Sequence, residues 1–474
     1  MNNIIYLFAI ASIFSCTNKK SVIVQGPKAI EIINYIDSLD GFSGAVLIAK
    51  DDSVLIQKAY GYANIGHKVK NNINTKFSYA SIGKSFTAVA IFQLMQEGKL
   101  ALDNPIGKFL PNYPNKVARD SVTIAHLLQH RSGIANYFGS EEFLNTSKDQ
   151  YRTIESITAL FEDKPLESKI DKHFAYRNSN YIVLGRIIEA ITNTTYDEYI
   201  RENIYSVAKI KNTGNFDIDH GIDNAAENYM LSAVYPNELQ KTMFMSAVKG
   251  GPAGGGYSNL NDLYNFATAF KNNQLLNSEF THLMKSTPKF GSYGYGLQFA
   301  GEKDSGIYGH SGGHFGVGAE WRIFDKQNYT VVLLSNKDLG QGFLDARFFI
   351  QKTIGGTTPK LDAYFLTKNL VKTCLEMGFK PAKNLIENST MDFSEIDLNA
   401  KGYEMITRGF YEKAIDLFRL QVYAFQESYN AYDSLAEAYM MNGNINKAIE
   451  SYKKSLELNP KNTNAEEKLQ ELQK

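Results

Sequence analysis

The constraint that most limits this chain is a pair of hairpin signals at opposite ends of a long helix-patterned stretch. Residues 44–64, "GAVLIAKDDSVLIQKAYGYAN", give two β-rich runs about the polar turn Asp51-Asp52-Ser53. Residues 319–336, "AEWRIFDKQNYTVVLLSN", repeat the pattern about a turn at 325–328. Between them apolar residues fall at helical spacing, as in Phe86, Val89, Ala90, Phe92, Leu94 and Met95 before Gly98. Strands at both ends with helices between predict an α+β domain whose terminal strands share one sheet, running from about Pro27 to Gly356.

After residues 355–359, "GGTTP", the composition turns to helix formers. Shifted on itself by 34 residues, the tail aligns Gly409 with Gly443, Ala414 with Ala448 and Phe418 with Tyr452. Tyr439, Gly443, Ala448, Tyr452 and Pro460 also sit at tetratricopeptide offsets, so the tail resembles that repeat. Small residues let two antiparallel helices approach, and the aromatic fills the groove between them. Two units and a short helix fall below the roughly three usually needed for independence. The tail is therefore expected to pack on the main domain or on a protein partner.

At 474 residues the chain is long enough for two or three domains. Lys plus Arg and Asp plus Glu number 50 each, so no overall field gathers nucleic acid or an anionic membrane. Residues 4–14, "IIYLFAIASIF", are too short to span a bilayer comfortably and end at Ser15-Cys16 before polar "TNKK". This resembles a bacterial lipoprotein signal, with Cys16 as the lipidation site; a plain secretory signal or short anchor is the alternative. The implied protein is exported, periplasmic or at the cell envelope, and touches membrane through a lipid anchor alone. The only other cysteine, Cys374, then has no disulfide partner and reads as a small buried apolar residue.

Ser81 and Lys84 stand three apart at the mouth of the apolar helical segment, in "YASIGKSF". The same Ser-x-x-Lys spacing recurs at Ser206, Ser246, Ser286 and Ser451, so context alone separates Ser81. Positions i and i+3 share a helix face, and the helix start supplies unpaired N–H groups where an oxyanion would form. Apolar surroundings would desolvate Lys84 and lower its pKa from about 10.4 toward that of a general base for Ser81.

Residues 75–114, "TKFSYASIGKSFTAVAIFQLMQEGKLALDNPIGKFLPNYP", resemble the serine β-lactamase and penicillin-binding-protein-like hydrolases. The class C, esterase and D-aminopeptidase branch is the nearest match, and the likeness covers roughly residues 30–340. Two further motifs follow in order: Tyr176-Arg177-Asn178 at the family's Tyr-x-Asn place, and His310-Ser311-Gly312 at its Lys-Thr-Gly or His-x-Gly place. The resemblance implies an antiparallel sheet with an all-helical cluster, then a small all-α tetratricopeptide-like domain. It divides the chain into signal 1–16, linker 17–28, hydrolase domain 29–356, helical linker 357–394 and repeats 395–474.

The resemblance also implies roles. Ser81 is the nucleophile, Lys84 and Tyr176 move protons, and Asn178 and His310 orient substrate. Gly312 permits close approach of substrate, and the N–H groups of Ser81 and Gly313 form the oxyanion hole. His310 stands where typical β-lactamases carry a lysine, and is only partly charged near neutrality. That leans the expected substrate from β-lactams toward an ester, peptide or amide. No cofactor is implied. The alternatives are a non-catalytic partner-binding protein and a slowly deacylating penicillin-binding sensor.

Competing readings of these motifs fail or are weaker. "GHSGG" at 309–313 spells a nucleophile elbow, but strand-like sequence follows and no histidine lies beyond His314. Glycines between His310 and His314 spoil a helical zinc pair. His126 and His130 are expected to cap a helix C-terminus. Gly254-Gly255-Gly256 lacks the Lys-Ser/Thr ending of a phosphate loop. It reads as flexible backbone at the cleft, with Asn259 or Asn261 capping the next helix.

Overall fold

The structure is a computed structural model that describes residues 23–286, 288–301, 304–337 and 339–473. The expected signal and its Cys16 lie outside the described residues. Among these residues seven strands form one antiparallel sheet: β1 (Ile23–Val24), β2 (Gly44–Lys50), β3 (Ser53–Tyr60), β4 (Gln298–Ala300), β5 (Ile307–His314), β6 (Val317–Phe324) and β7 (Tyr329–Ser335). Their order is β1-β3-β2-β7-β6-β5-β4. The two hairpins meet where β7 pairs with β2, from Tyr329 opposite Lys50 to Ser335 opposite Gly44. Asp51 and Asp52 turn the first hairpin with φ of 47° and 62°, the conformation that short hairpin turns demand.

Each face of the sheet is covered. On one side lie α1 (Pro27–Asp37) and, near the other end of the domain, Leu344–Gly355, with Ile32, Ile36, Val46, Ile48 and Val331 in one core. On the other side lie α2 (Gly83–Gln96), α3 (Asn178–Thr192) and α4 (Leu260–Lys271). Helix α2 is buried almost all round, in keeping with apolar residues on every face of it. Trp321 of β6 is fully buried against Phe266 and Phe270 of α4. Asn259 caps α4 by accepting the Asp262 N–H at 2.9 Å.

Helix α5 (Leu344–Gly355) leads into an all-helical array of α6 (Pro359–Met377), α7 (Phe379–Glu387), α8 (Glu395–Thr407), α9 (Tyr411–Ala424), α10 (Tyr429–Met441), α11 (Ile445–Leu458) and α12 (Thr463–Leu472). Gly409 and Gly443, both with φ of 76°, turn the chain between paired helices. Ala414, Phe418, Ala448 and Tyr452 are fully buried. The stretch 357–394, expected as a helical linker, forms a helix pair. Leu370, Cys374 and Ala382 from it share one core with Leu398, Ala414 and Phe418. The array thus has three helix pairs and a final helix, which reaches the number such stacks need. It also packs on the main domain: Tyr364 stacks edge-on against Phe348, and Lys368 pairs with Asp345 at 2.7 Å.

Candidate active site

The site begins with a strained turn. Phe77–Ser78 pairs with Tyr257–Ser258, and the chain then turns through Ala80–Ile82 into α2. Ala80 has φ of 43°, a left-handed conformation that a residue with a Cβ rarely holds. Two glycine segments hold it. The Gly255 N–H donates to the Ala80 carbonyl at 3.0 Å, and the Tyr79 N–H donates to the Gly256 carbonyl at 2.9 Å. A Cβ on Gly254 would lie 1.9 Å from the Ala80 oxygen. From the other side, a Cβ on Gly312 would lie 2.5 Å from the Tyr79 oxygen and 2.7 Å from the Ser81 nitrogen.

Both glycine expectations change. Residues 254–256 are not a flexible border but a clamp on the Ser81 turn. Gly312 lets strand β5 approach that turn, whereas its neighbour Gly313, which is exposed, lines the cleft. Ser81 is left half-buried at the cleft floor.

Lys84 lies one helical turn on and is fully buried. Its Nζ is 3.1 Å from Ser81 Oγ, 2.7 Å from Asn178 Oδ1 and 2.6 Å from the Ala253 carbonyl. Burial drives its pKa well below the ordinary lysine value. A neutral amine has two N–H donors and one lone pair. In that neutral form Asn178 and Ala253 would accept the two protons, and the lone pair would face the Ser81 hydroxyl. The Tyr176 and Tyr181 rings close over the nitrogen at 5.0 Å and 5.7 Å. Asn178 opens α3, and its own N–H donates to Asn136 Oδ1 at 2.9 Å.

Tyr176 precedes α3 and presents its hydroxyl to Ser81. Burial raises its pKa, and the hydrogen bond with Ser81 pulls the other way. His130 stacks beneath the Tyr176 ring at 4.3 Å and beside Tyr293 at 4.6 Å. Its Nδ1 accepts from the Arg177 N–H and from Asn180 Nδ2, both at 3.2 Å, so the proton sits on Nε2. Of the two histidines of "AHLLQH", His130 does cap a helix C-terminus: it takes φ of 55° just past Ile124–Leu128, its N–H donates to the Leu127 carbonyl at 3.2 Å, and the Arg131 N–H donates to the His126 carbonyl at 2.8 Å. His126 instead closes a capping box at the start of Ile124–Leu128, accepting the Thr123 N–H at 3.2 Å. His130 is the buried floor under Tyr176, a role with no local signal.

His310 is also placed otherwise than expected. It is fully buried behind the site and is not among the residues lining the cleft. Its Nδ1–H donates to the Ser311 carbonyl at 2.6 Å, and Nε2 accepts from the Tyr293 hydroxyl at 2.9 Å. Burial first, then the nearby Lys84, lowers its pKa to about 3. On its strand the side chain points into the core while the backbone faces the turn. His314, further along β5, does line the cleft, within 3.3 Å of Ser246 Oγ.

The cleft has a volume of about 370 Å³. Tyr137, Phe138, Phe143, Ile157 and Ile182 make its apolar wall, and Asn136, Asn178 and Asn228 are among its polar groups. Among the described residues that line it there is no carboxylate, and Lys249 is already paired with Asp197 at 2.9 Å. Among the described residues no group of three or more His, Cys, Asp or Glu is arranged to hold a metal ion.

Comparison with known proteins extends this geometry. Residues 32–353 match the family model described as Beta-lactamase, and residues 430–462 match the tetratricopeptide repeat. Penicillin-binding protein 4* of Bacillus subtilis is 27% identical over 314 residues, 63% of this chain and 68% of that protein. The putative penicillin-binding protein PbpX of the same organism is 30% identical over 322 residues, 66% and 75% of the two chains. Among solved structures, a penicillin binding protein from Bacillus halodurans aligns with a TM-score of 0.61 at 27% identity, covering 68% of this chain and 98% of that one. The D-amino acid amidase of Ochrobactrum anthropi SV3 aligns at 0.60 with 22% identity over 68% and 99%, a likeness of fold. The family match runs through both hairpins, the Ser81 turn and the walls of the cleft, and the chain belongs to the beta-lactamase family.

Proposed function

We propose that the protein is a serine hydrolase that cleaves an ester, peptide or amide bond through an acyl-enzyme. The observation that carries this reading is the fully buried Lys84, 3.1 Å from Ser81 Oγ, with its other two contacts both acceptors. Lys84 takes the Oγ proton as Oγ bonds to the substrate carbonyl carbon. The N–H groups of Ser81 and Gly313 hold the resulting oxyanion, a contribution of about 3 kcal/mol for one donor. The proton passes through Tyr176 to the leaving oxygen or nitrogen as its bond to carbon breaks. Water then attacks the ester by the same route in reverse, which frees the acid and restores Ser81.

The cleft supports an apolar acyl portion. A neutral His310 behind the wall offers no cation for a β-lactam carboxylate, which favours simple esters and amides over β-lactams. The amino-terminal pattern supports export and tethering at Cys16, with a partner for the helical array in the same compartment.

The test is labelling of purified protein with a fluorophosphonate and turnover of 4-nitrophenyl esters. Wild type is expected to be labelled at Ser81 and to turn over, while Ser81→Ala loses both. Full turnover in Ser81→Ala overturns the reading. No label at Ser81 favours the non-catalytic partner-binding protein, and a long-lived acyl adduct without turnover favours the sensor.

A further inference from the structure

The charges of the chain cancel in total but not locally. Residues 53–76 carry Lys58, His67, Lys68, Lys70 and Lys76 and no Asp or Glu. Lys58 pairs with Asp37 at 2.6 Å, whereas Lys68 and Lys70 are exposed and form no ion pair among the described residues. They belong to a small hairpin, Tyr62–Asn64 with Val69–Lys70, that follows β3 at the end of the sheet where Tyr60, Gly44 and Ser335 lie abreast. A second hairpin, Tyr229–Leu231 with Leu239–Lys241, is stitched to the first. The Ile65 N–H donates to the Tyr229 hydroxyl at 2.9 Å, and Asn336 Nδ2 donates to the Tyr62 and Glu227 carbonyls at 2.9 Å and 2.8 Å.

Both hairpins hold apolar side chains in water. Tyr62 and Val69 are 40% and 52% exposed. Among the described residues of the main domain the three barest large apolar side chains are Phe244, Val234 and Tyr235, at 80%, 71% and 63%, all within 234–244. Single exposed apolar residues are ordinary, but a cluster of them rimmed by lysines marks a binding face. The direction of the chain says what the face meets. Strand β1 runs from Ile23, opposite Gln57, to Val24, opposite Ile56, so the chain enters the fold from the Tyr60 end of β3. Cys16 lies seven residues before Ile23, a reach of at most about 25 Å. The lipid proposed at Cys16 would therefore hold this end of the sheet near a bilayer.

We propose that the two hairpins form a membrane-docking face that seats on anionic lipid headgroups. Lys68 and Lys70 meet the phosphates, and Tyr235 and Phe244 enter the interfacial layer, where aromatic rings are favoured. Docking does more than tethering, because it fixes orientation: Met243 of the same stretch lines the Ser81 cleft, so one edge of the cleft faces the headgroups. The inference does not depend on the hydrolase reading.

The test uses the chain from residue 17, which keeps every described residue and lacks Cys16 and the apolar run before it, so that no anchor contributes. It is floated with vesicles of phosphatidylcholine, with or without phosphatidylglycerol. Wild type is expected to float with the anionic vesicles and not with the neutral ones. Lys68→Gln with Lys70→Gln should weaken that binding about thirtyfold, the size for two lysines at an anionic surface. Val234→Ser with Phe244→Ser should weaken it at least about tenfold. Phe244→Trp reads insertion directly: its emission should be quenched by brominated lipid, while the one native tryptophan, Trp321, is fully buried and stays bright. No flotation of wild type, equal flotation with neutral vesicles, or binding that survives both double variants overturns the proposal. A dimer that Val234→Ser with Phe244→Ser dissolves, without vesicle binding, also overturns it and gives the face to a second copy of the chain.

Discussion

A lysine that touches serine, amide and carbonyl oxygens but no carboxylate has lost its water without gaining a counter-ion. Desolvation favours the neutral amine, and the neutral amine is the form that can accept a proton from Ser81. The sign for activity follows: the deprotonated form works, so kcat/KM falls as pH drops through the Lys84 pKa. That limb is expected well below the ordinary lysine value of about 10.4. A pH–rate profile of ester hydrolysis checks it, and an acid limb centred near 10 would count against Lys84 as the base. Lys84→Arg, which keeps the charge but cannot give up its proton, is expected to lower kcat by at least about a thousandfold. The strain before Ser81 is equally specific. Gly254→Ala would drive its Cβ into the Ala80 oxygen at a φ of 117°. The expected cost is about 3 kcal/mol in urea unfolding, together with slower acylation of Ser81. A variant with unchanged acylation would show that the clamp is dispensable.

Strand β5 shows how far sequence patterns reach. The hairpins were legible because alternation and an Asp-Asp turn are local, and the Ser81–Lys84 pair because three residues make nearly one helical turn. The positions of Tyr176 and Asn178 followed from motif order. His310 was misplaced because a strand presents alternate residues to opposite faces, and only the packing of α2 and Tyr293 decides which face is core. His130, Tyr293 and the Ala253 carbonyl come from separate segments with no spacing rule to join them. The helix pair 357–394 lacked the repeat's marker residues, so its shared core was invisible. The buried strand histidine also has a thermodynamic signature. Its folded pKa of about 3 lies below the ordinary value of about 6.5. Between those values the unfolded chain binds a proton that the folded chain refuses, so stability falls as pH falls through that window. His310→Gln is expected to flatten the dependence of the urea midpoint on pH from 6.5 toward 3, relative to wild type. An unchanged slope would place the acid sensitivity elsewhere.

At the scale of the whole molecule the helical array and the main domain share surface that neither can leave bare. Tyr35 stacks on Phe349 at 3.8 Å, and Phe365 meets both rings edge-on. Lys368 pairs with Asp345 at 2.7 Å and donates to the Tyr35 hydroxyl at 3.0 Å. A second contact joins the array to the cleft. Arg408 donates to Asn237 at 2.8 Å, in the hairpin of Tyr229–Leu231 and Leu239–Lys241. That hairpin leads directly into Thr242 and Met243, which line the cleft. Loss of the first interface should therefore uncouple stability, and loss of the second should alter the cleft. Aromatic pairs of this kind contribute about 1 kcal/mol each beyond area burial, so several together can join two units into one cooperative transition. The full chain is expected to melt as a single calorimetric peak. The double variant Tyr364→Ala with Phe365→Ala should split that peak into two, with faster proteolysis between residues 355 and 359. Arg408→Ala should keep the single peak but raise KM for esters with bulky acyl groups, because the hairpin beside the cleft loses its outer support. Two peaks already present in wild type would mean that the array is a passenger.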